Sequence, residues 1–347
     1  MFKFTVLAVI VGIAYSAYYE DLVERHKGKY NFETGYNEFF RGWSKEQMKG
    51  LLGTKLDKKG LAGVREHVPS YQALPKNFQS GIDKWKNCGS TINYIKDQAN
   101  CGSCWAVACS NVLAARLCIA NVGNSEEDPE LLNENAPLYD MAAEEPMSCC
   151  GWCGDGCQGG YPIECMRYAS WIGVGSGGWY GSKCGCQPYE IAPCGPKGCS
   201  GGIARTPRCK HSCQSGFNVG FEPDRKKFDD YKQIRGEQAM MEEIYNNGPI
   251  ECAFTVYENF MAYKSGVYDH ASGRVDGGHA ITVTGWGETS DGVPYWVIHN
   301  SWNTTWGMSG VFWFKRGIDL CGMEQQCVSA KAKPDSNPKQ HALQCVH

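Results

Sequence analysis

The sequence predicts an α+β fold built as two halves, one helical and one β, with a cleft between them. Two observations carry this. Residues Cys104–Cys118 (CWAVACSNVLAARLC) hold neither Gly nor Pro and place Val107, Leu113 and Leu117 as on a buried helix. From Phe254 onward the texture changes to short β-branched and aromatic runs separated by glycines: AITVTGW over Ala280–Trp286, PYWVIHN over Pro294–Asn300 and GVFWF over Gly310–Phe314. No internal repeat is visible. A chain of 347 residues is long enough to bury a sizeable core. Its 37 acidic and 34 basic side chains nearly cancel, so nothing in the charge points to nucleic acid.

In chain order, the N-terminus MFKFTVLAVIVGIAYS joins one Lys, an apolar run and a small-x-small site at Ala14-Tyr15-Ser16. Residues 1–16 are expected to be a signal peptide, too short to span a membrane, and no later segment reads as long and apolar enough to do so. Entry into the secretory pathway makes the cysteines disulfides in preference to zinc ligands, so neither a metal nor a cofactor is expected. Residues 17–73 lack Cys and are rich in Lys and aromatics. Tyr36, Phe39, Phe40 and Trp43 fall at i, i+3, i+4 and i+7 and predict an apolar helical stripe. Ser44 and Gln47 form a capping-box pattern that opens a second helix towards Leu51, Leu52 and Gly53. Helices this short cannot fold alone and must lie on something. Both a pro-segment and an N-terminal helix pair of the main domain meet that need. The tail after Lys331 is polar and is expected to be loose.

Residues 98–105 read QANCGSCW, and Cys104 is the candidate nucleophile. A thiol at neutral pH is mostly protonated, so its pKa must be depressed before it can attack. Two devices are legible: the positive end of the helix that Cys104 begins, and an imidazolium from His279 in Gly277-Gly278-His279-Ala280. An ion pair with His279 would keep the thiolate populated and return the proton to a leaving amine. Asn300, in Asn300-Ser301-Trp302, would orient the imidazole. Gln98 and the backbone N–H of Cys104 would donate to an oxyanion. Cys, His and Asn together are the residue types that a thiol nucleophile, its base and the base's orienting group call for. Each residue alone has a plain reading, since a cysteine in a secreted chain is usually half of a disulfide. Their joint occurrence favours catalysis. An inactive relative acting as a binding protein and a disulfide scaffold without a cleft remain the alternatives.

With these motifs, and with CCGWCGDGCQGGYP (Cys149–Pro162), NGPIE (Asn247–Glu251), YKSGVY (Tyr263–Tyr268) and NSWNTTWG (Asn300–Gly307), the chain resembles a cathepsin B-like protease of the papain family. The resemblance runs from about Trp43 to the C-terminus, and the double-Cys segment with its Cys-rich insert belongs to that branch. His279 lies farther from Cys104 than the ~130–150 residues usual in papain, as the insert would produce. The resemblance implies a papain-like two-domain fold and a monomeric thiol endopeptidase acting on polypeptides. It also implies a propeptide over 17–73 that inhibits the mature domain, 74–347, by running through the cleft in reverse. The expected compartment is the secretory pathway, either lysosomal or extracellular. The extra cysteines look most like nematode gut proteases, which suggests a gut lumen.

It further implies bridges Cys88–Cys118, Cys101–Cys157, Cys149–Cys209, Cys150–Cys153, Cys186–Cys213 and Cys194–Cys199. Twenty cysteines with one reserved as nucleophile leave an odd number, so at least one more thiol is unpaired. Cys109, Cys165, Cys184, Cys252, Cys321, Cys327 and Cys345 stay unassigned, with Cys252–Cys327 an attractive extra pair beside the specificity pocket. By resemblance Gly159 and Gly160 bind substrate backbone. Tyr161, Pro162, Ala253 and Ala280 line the S2 pocket, and Gln326 forms its floor. Trp302 and Trp306 cover the His–Asn contact. Gln326 is neutral where the family carries a carboxylate, so Arg at P2 should be less welcome, unless Glu324 turns inward. The loop Cys194–Cys199 lacks the family's histidine pair, and His211 lies outside it, so carboxypeptidase activity should be weak or absent. Lys197 and Arg205 are the remaining candidates for holding a carboxylate. Ala99 and Val107 depart from a Gly and a Phe, and Asn303-Thr304-Thr305 is the glycosylation sequon.

Overall fold

The computed structural model describes residues 18–56, 60–126, 137–195, 198–199 and 201–336. The expected signal peptide, Lys197 and Cys345 lie outside them. The chain begins with a helix over 18–26 (α1), strand β1 (Glu33–Thr34) and α2 (Lys45–Gly50). The helical half then contains α3 (Gly89–Ile92), α4 (Cys104–Cys118), α5 (Glu144–Cys149), α6 (Pro162–Trp171) and α7 (Phe221–Asp224), preceded by strand β2 (Phe78–Gln79). The β half follows: β3 (Asp229–Ile234), α8 (Glu237–Asn247), β4 (Ile250–Tyr257), β5 (Tyr263–Ser265), β6 (Val267–Tyr268), β7 (Val275–Glu288), β8 (Pro294–His299), β9 (Val311–Lys315) and β10 (Cys327–Lys331). Its sheet runs β3-β10-β4-β7-β8-β9-β6, and β2 adds to β7. The three strand-like runs read from the sequence are β7, β8 and β9.

Helix α4 is buried on every side, with only Asn111 partly accessible. That is why its apolar residues form no single stripe. The helical run Cys104–Gly123 has the length and apolarity of a membrane crossing, which corrects the expectation that no segment after the leader would. Most of it lies inside the protein, as a core helix must. Arg116 on α4 is buried and ties the two halves together: it donates to Glu243 Oε1 at 2.9 Å and to the carbonyls of Pro249, Gly248 and Ala330. Arg116→Met should therefore cost about 3 kcal/mol in denaturant unfolding, because it strips a buried carboxylate of one partner. Lys232, 2.8 Å from the same carboxylate, limits the loss.

The N-terminal segment lies on the main body. Strand β1 pairs with β5, and α2 begins with a complete capping box: Gln47 N donates to Ser44 Oγ at 3.1 Å, and Ser44 N to Gln47 Oε1 at 2.8 Å. The helix predicted over 36–43 is instead one 3-10 turn, Glu38–Phe40. Gly42 takes a positive φ of 72°, and the Asn37 amide is held by the Tyr263 carbonyl and Gly307 N. The stripe is nonetheless buried at Phe39, Phe40 and Trp43, leaving Tyr36 exposed. Tertiary contacts, not helix propensity, shape this stretch.

Candidate active site

Cys104 opens α4, so its sulfur sits where the helical half meets β7. His279 lies mid-strand in β7 opposite Phe254 of β4, and Asn300 follows the last residue of β8. His279 Nε2 and Asn300 Oδ1 are 2.8 Å apart. The Trp302 ring covers the histidine at 4.7 Å between centroids, and Trp306 meets Trp302 edge-on at 5.0 Å. His279 Nδ1 is buried with no hydrogen-bond partner among the described residues. Gln98 is fully buried and held from several sides. Ser301 Oγ donates to its Oε1 at 2.7 Å, Tyr189 OH to its carbonyl at 2.9 Å, and its N–H to the Ser301 carbonyl. The nearby carbonyl of Cys101 receives its Nε2 at 2.7 Å.

The N-terminal segment threads this cleft. The Leu51 carbonyl accepts from Gln98 Nε2 at 3.0 Å. Thr54 Oγ1 lies 3.1 Å from Cys104 Sγ. Thr54 N donates to the Gly278 carbonyl, Lys55 N to the Gly160 carbonyl, and Gly160 N to the Gly53 carbonyl, so both walls are bridged in parallel register. The approach is close enough to require glycine at Gly53, where a Cβ would overlap the Gly102 carbonyl, and at Gly159, where it would meet Gly53. Phe39 and Phe40 lie against Trp302.

Burial reverses the expected charge state. With the segment seated, burial pushes the Cys104 thiol up, against hydrogen bonding from Thr54 and nearby backbone. Burial likewise pushes His279 down to about 4 despite its bond to Asn300. The thiolate–imidazolium pair read from the sequence is therefore absent in this state, because water has been excluded from both groups. His67 and His26, both in the N-terminal segment, are also lowered, chiefly by burial and against the fields of Glu243 and Glu258. A histidine held below its free value of about 6.5 destabilises the docked state as pH falls, because the undocked chain takes up the proton first. Glu242 adds to this only in stronger acid. Burial raises it, but hydrogen bonds from Gln238 and from Ser70 and Gln72 outweigh that and hold it at about 2. Its contribution is present above the free carboxyl value and is lost as pH falls towards 2. Thermal melting of full-length Cys104→Ala protein should accordingly fall by several degrees between pH 7 and about pH 4, and a flat profile would refute the histidine contribution.

Of the substrate-binding candidates, Tyr161, Pro162, Ala253 and Gln326 line one small pocket, together with Ile163, Val328, Leu61 and Lys55. Ala280 packs against Cys104 and Ala108 instead. Glu324 turns away from the pocket: its carboxylate accepts from Trp296 Nε1, Gly317 N and Asp319 N. Gln326 Nε2 donates to the Gly322 carbonyl at 3.2 Å. His211 lies beside Cys209 and Phe221, and Arg205 is exposed. Asn303 is drawn into the fold, its amide donating to Asp97 Oδ2 at 3.0 Å. Bridges join Cys88–Cys118, Cys101–Cys157, Cys149–Cys209, Cys150–Cys153, Cys186–Cys213, Cys194–Cys199 and Cys252–Cys327. A further bridge, Cys109–Cys165, ties α4 to α6 and had no signal in the sequence. Cys104 and Cys321 are the free thiols among the described residues, which removes the disulfide reading of Cys104. Thr54, Tyr189 and Ser301 escaped the sequence reading. Only Ser301, inside Asn-Ser-Trp, offered a local cue.

A buried thiol at a helix start, packed against Ala280 next to the hydrogen-bonded His279–Asn300 pair, defines a thiol peptidase architecture. The model of the papain family cysteine proteases matches residues 79–331, and the chain belongs to that family. It is 43% identical over 263 residues to a gut-specific cysteine proteinase of Caenorhabditis elegans and 40% identical over 267 to cathepsin B-like cysteine proteinase 1 of Ostertagia ostertagi, covering 75% of this chain and 74% of each relative. Among solved structures, the procathepsin B S9 of Trypanosoma congolense superposes with a TM-score of 0.74 at 29% identity, covering 91% of this chain and 98% of that one. A digestive procathepsin L2 of Tenebrio molitor, at 19% identity and a TM-score of 0.68, shares the fold. Within the family this chain is a cathepsin B-like cysteine peptidase in precursor form.

Proposed function

We propose that the protein is a secreted or lysosomal endopeptidase held inactive by residues 17–73, with 74–347 the mature enzyme. The observation that carries this reading is the path of Leu51–Lys55, whose backbone fills the place of a substrate between Gly160 and Gly278 while Leu51 engages Gln98. Once that segment leaves, Cys104 attacks the scissile carbonyl and forms an acyl-enzyme. His279, steadied by Asn300, takes the thiol proton and passes it to the departing amine, and water then releases the acyl group. Gln98 Nε2 and the Cys104 N–H serve the oxyanion. Gly159 and Gly160 hold the extended substrate, and Trp302 keeps water from the His–Asn bond.

A hydrophobic or aromatic P2 side chain fits the pocket of Tyr161, Pro162 and Ala253. With Gln326 neutral and Glu324 committed elsewhere, Arg at P2 loses its counter-charge. The Cys194–Cys199 loop brings no histidine to the cleft, and Arg205 is exposed, which favours endopeptidase action over dipeptidyl release. The similarity to a gut-specific relative supports dietary protein in a gut lumen as substrate. We place a glycan on Asn303 only before folding, since its amide later serves Asp97. The test is hydrolysis of fluorogenic peptides by the acid-processed enzyme: Phe at P2 should exceed Arg by at least about tenfold in kcat/KM, the order of one unpaired buried group. A dipeptidyl substrate with a free carboxylate should be cut poorly. Rapid dipeptidyl release would show that another group holds the carboxylate.

A further inference from the structure

One carboxyl group in the β half has no structural use. Glu251 on β4 is fully buried, and neither of its oxygens has a hydrogen-bond partner among the described residues. Thr282 on β7 is buried too, with its Oγ1 equally unpartnered. Buried polar groups are nearly always satisfied, so two unsatisfied groups side by side call for an explanation.

The strand register places them. Glu251 pairs with Thr282, and Ala253 with Ala280. Residues two apart on a strand share a face, and directly opposed residues share it too. The four therefore form a patch, with Ala253 and Ala280 in front and Glu251 and Thr282 one step of roughly 7 Å behind. Val328 on β10, opposite Glu251, carries the same face into the pocket that Ala253 and Gln326 line. The front row carries only methyl groups, and Ala253 lines the pocket itself. Burial alone raises the Glu251 carboxyl well above the ordinary range, so it stays protonated, with one O–H to donate and oxygens to accept. Gln326 and Glu324 are both committed elsewhere and do not compete for this role.

We propose that Glu251, with Thr282 beside it, is the polar base of the S2 pocket and reads a hydroxyl at the tip of the P2 side chain, so that Tyr at P2 is preferred to Phe. The proposal rests on the peptidase reading above and adds a specificity residue to it. A phenol reaches past the alanines, donates to one group and accepts from the other. Phe leaves both unpaired, and a site built for a hydroxyl discriminates against the analogue lacking it. A guanidinium is a poorer match, because it needs an ionised acid that burial here disfavours.

The experiment measures kcat/KM of the acid-processed full-length protein on three peptides differing only in Tyr, Phe or Arg at P2. Wild type should favour Tyr over Phe by about tenfold or more. Glu251→Gln keeps a neutral hydrogen-bonding group and should retain the preference. Glu251→Leu should bring the Tyr-to-Phe ratio near one. Thr282→Val, nearly the same shape, should lower the ratio and gives an answer if the leucine variant does not fold. A wild-type ratio near one, with Phe cleaved well, overturns the proposal and leaves the peptidase reading standing. So does a preference for Arg that Glu251→Gln abolishes. Failure to cut all three peptides, with Cys104 refusing a thiol-reactive epoxide, sinks the peptidase reading itself.

Discussion

Cys104→Ala should abolish peptide hydrolysis by the processed enzyme, lowering kcat/KM by at least about 10⁴-fold and leaving the melting temperature nearly unchanged. The size follows from how the site works. Nucleophile and base act as a unit, so losing either removes the covalent route, and only binding and oxyanion stabilisation remain. His279→Ala should cost about as much. Gln98→Ala removes one oxyanion donor and should cost about 10²–10³-fold. The stability expectation has its own basis: the Cys104 side chain is small, and its one side-chain hydrogen bond is to Thr54 of the segment that leaves. Fluorogenic hydrolysis beside a melting curve checks both. Full activity in the alanine variant would show that another residue is the nucleophile, and a large loss of stability would show that Cys104 is chiefly structural.

Gly53→Val should release the precursor from inhibition, raising the activity of unprocessed protein at neutral pH by about a hundredfold or more. The backbone at Gly53 passes so close to Gly102 that no Cβ fits, and the overlap is with a carbonyl in the loop before Cys104, not with a side chain that can swing away. Seating the segment would then require moving the residues that present the nucleophile. Losing the Thr54–Gly278, Lys55–Gly160 and Gly160–Gly53 hydrogen bonds together would remove the clamp on the cleft. A hundredfold change corresponds to about 2.7 kcal/mol, a modest share of what several backbone hydrogen bonds and the burial of Leu51 contribute. The measurement is activity of the full-length variant with processing followed by mass, so that leak is separated from cleavage. A variant as silent as wild type would show that the anchors on either side, at Phe40 and Leu61, suffice without close passage over Cys104.

How much was legible depended on the range of the interaction. The Ser44–Gln47 capping box was readable because it spans three residues and is settled by local backbone geometry. The α4 helix and strands β7 to β9 were readable from composition and pattern, because a buried helix without Gly or Pro and short β-branched runs leave few alternatives. Cys104, His279, Asn300 and Gln98 could be named from local motifs and from resemblance. The stripe at Phe39, Phe40 and Trp43 announced burial correctly but misled about helix, since Gly42 and the Asn37 contacts override the periodicity.

What only the tertiary structure decided were the relations between distant segments and the solvent they exclude. The Cys109–Cys165 bridge, the turn of Glu324 towards Trp296 and the opposition of Glu251 to Thr282 all join residues whose partners no local pattern specifies. The charge state of the catalytic pair is the sharpest case. From the sequence, a helix start and a nearby imidazole imply an ion pair. In the folded precursor, the segment around Thr54 removes water, and burial leaves thiol and imidazole neutral. The sequence by itself determined which groups can do the chemistry. The fold decided when they are in water, and therefore when they are charged, because ionisation depends on the solvent, charges and hydrogen bonds that surround a group in space and not on its neighbours in the chain.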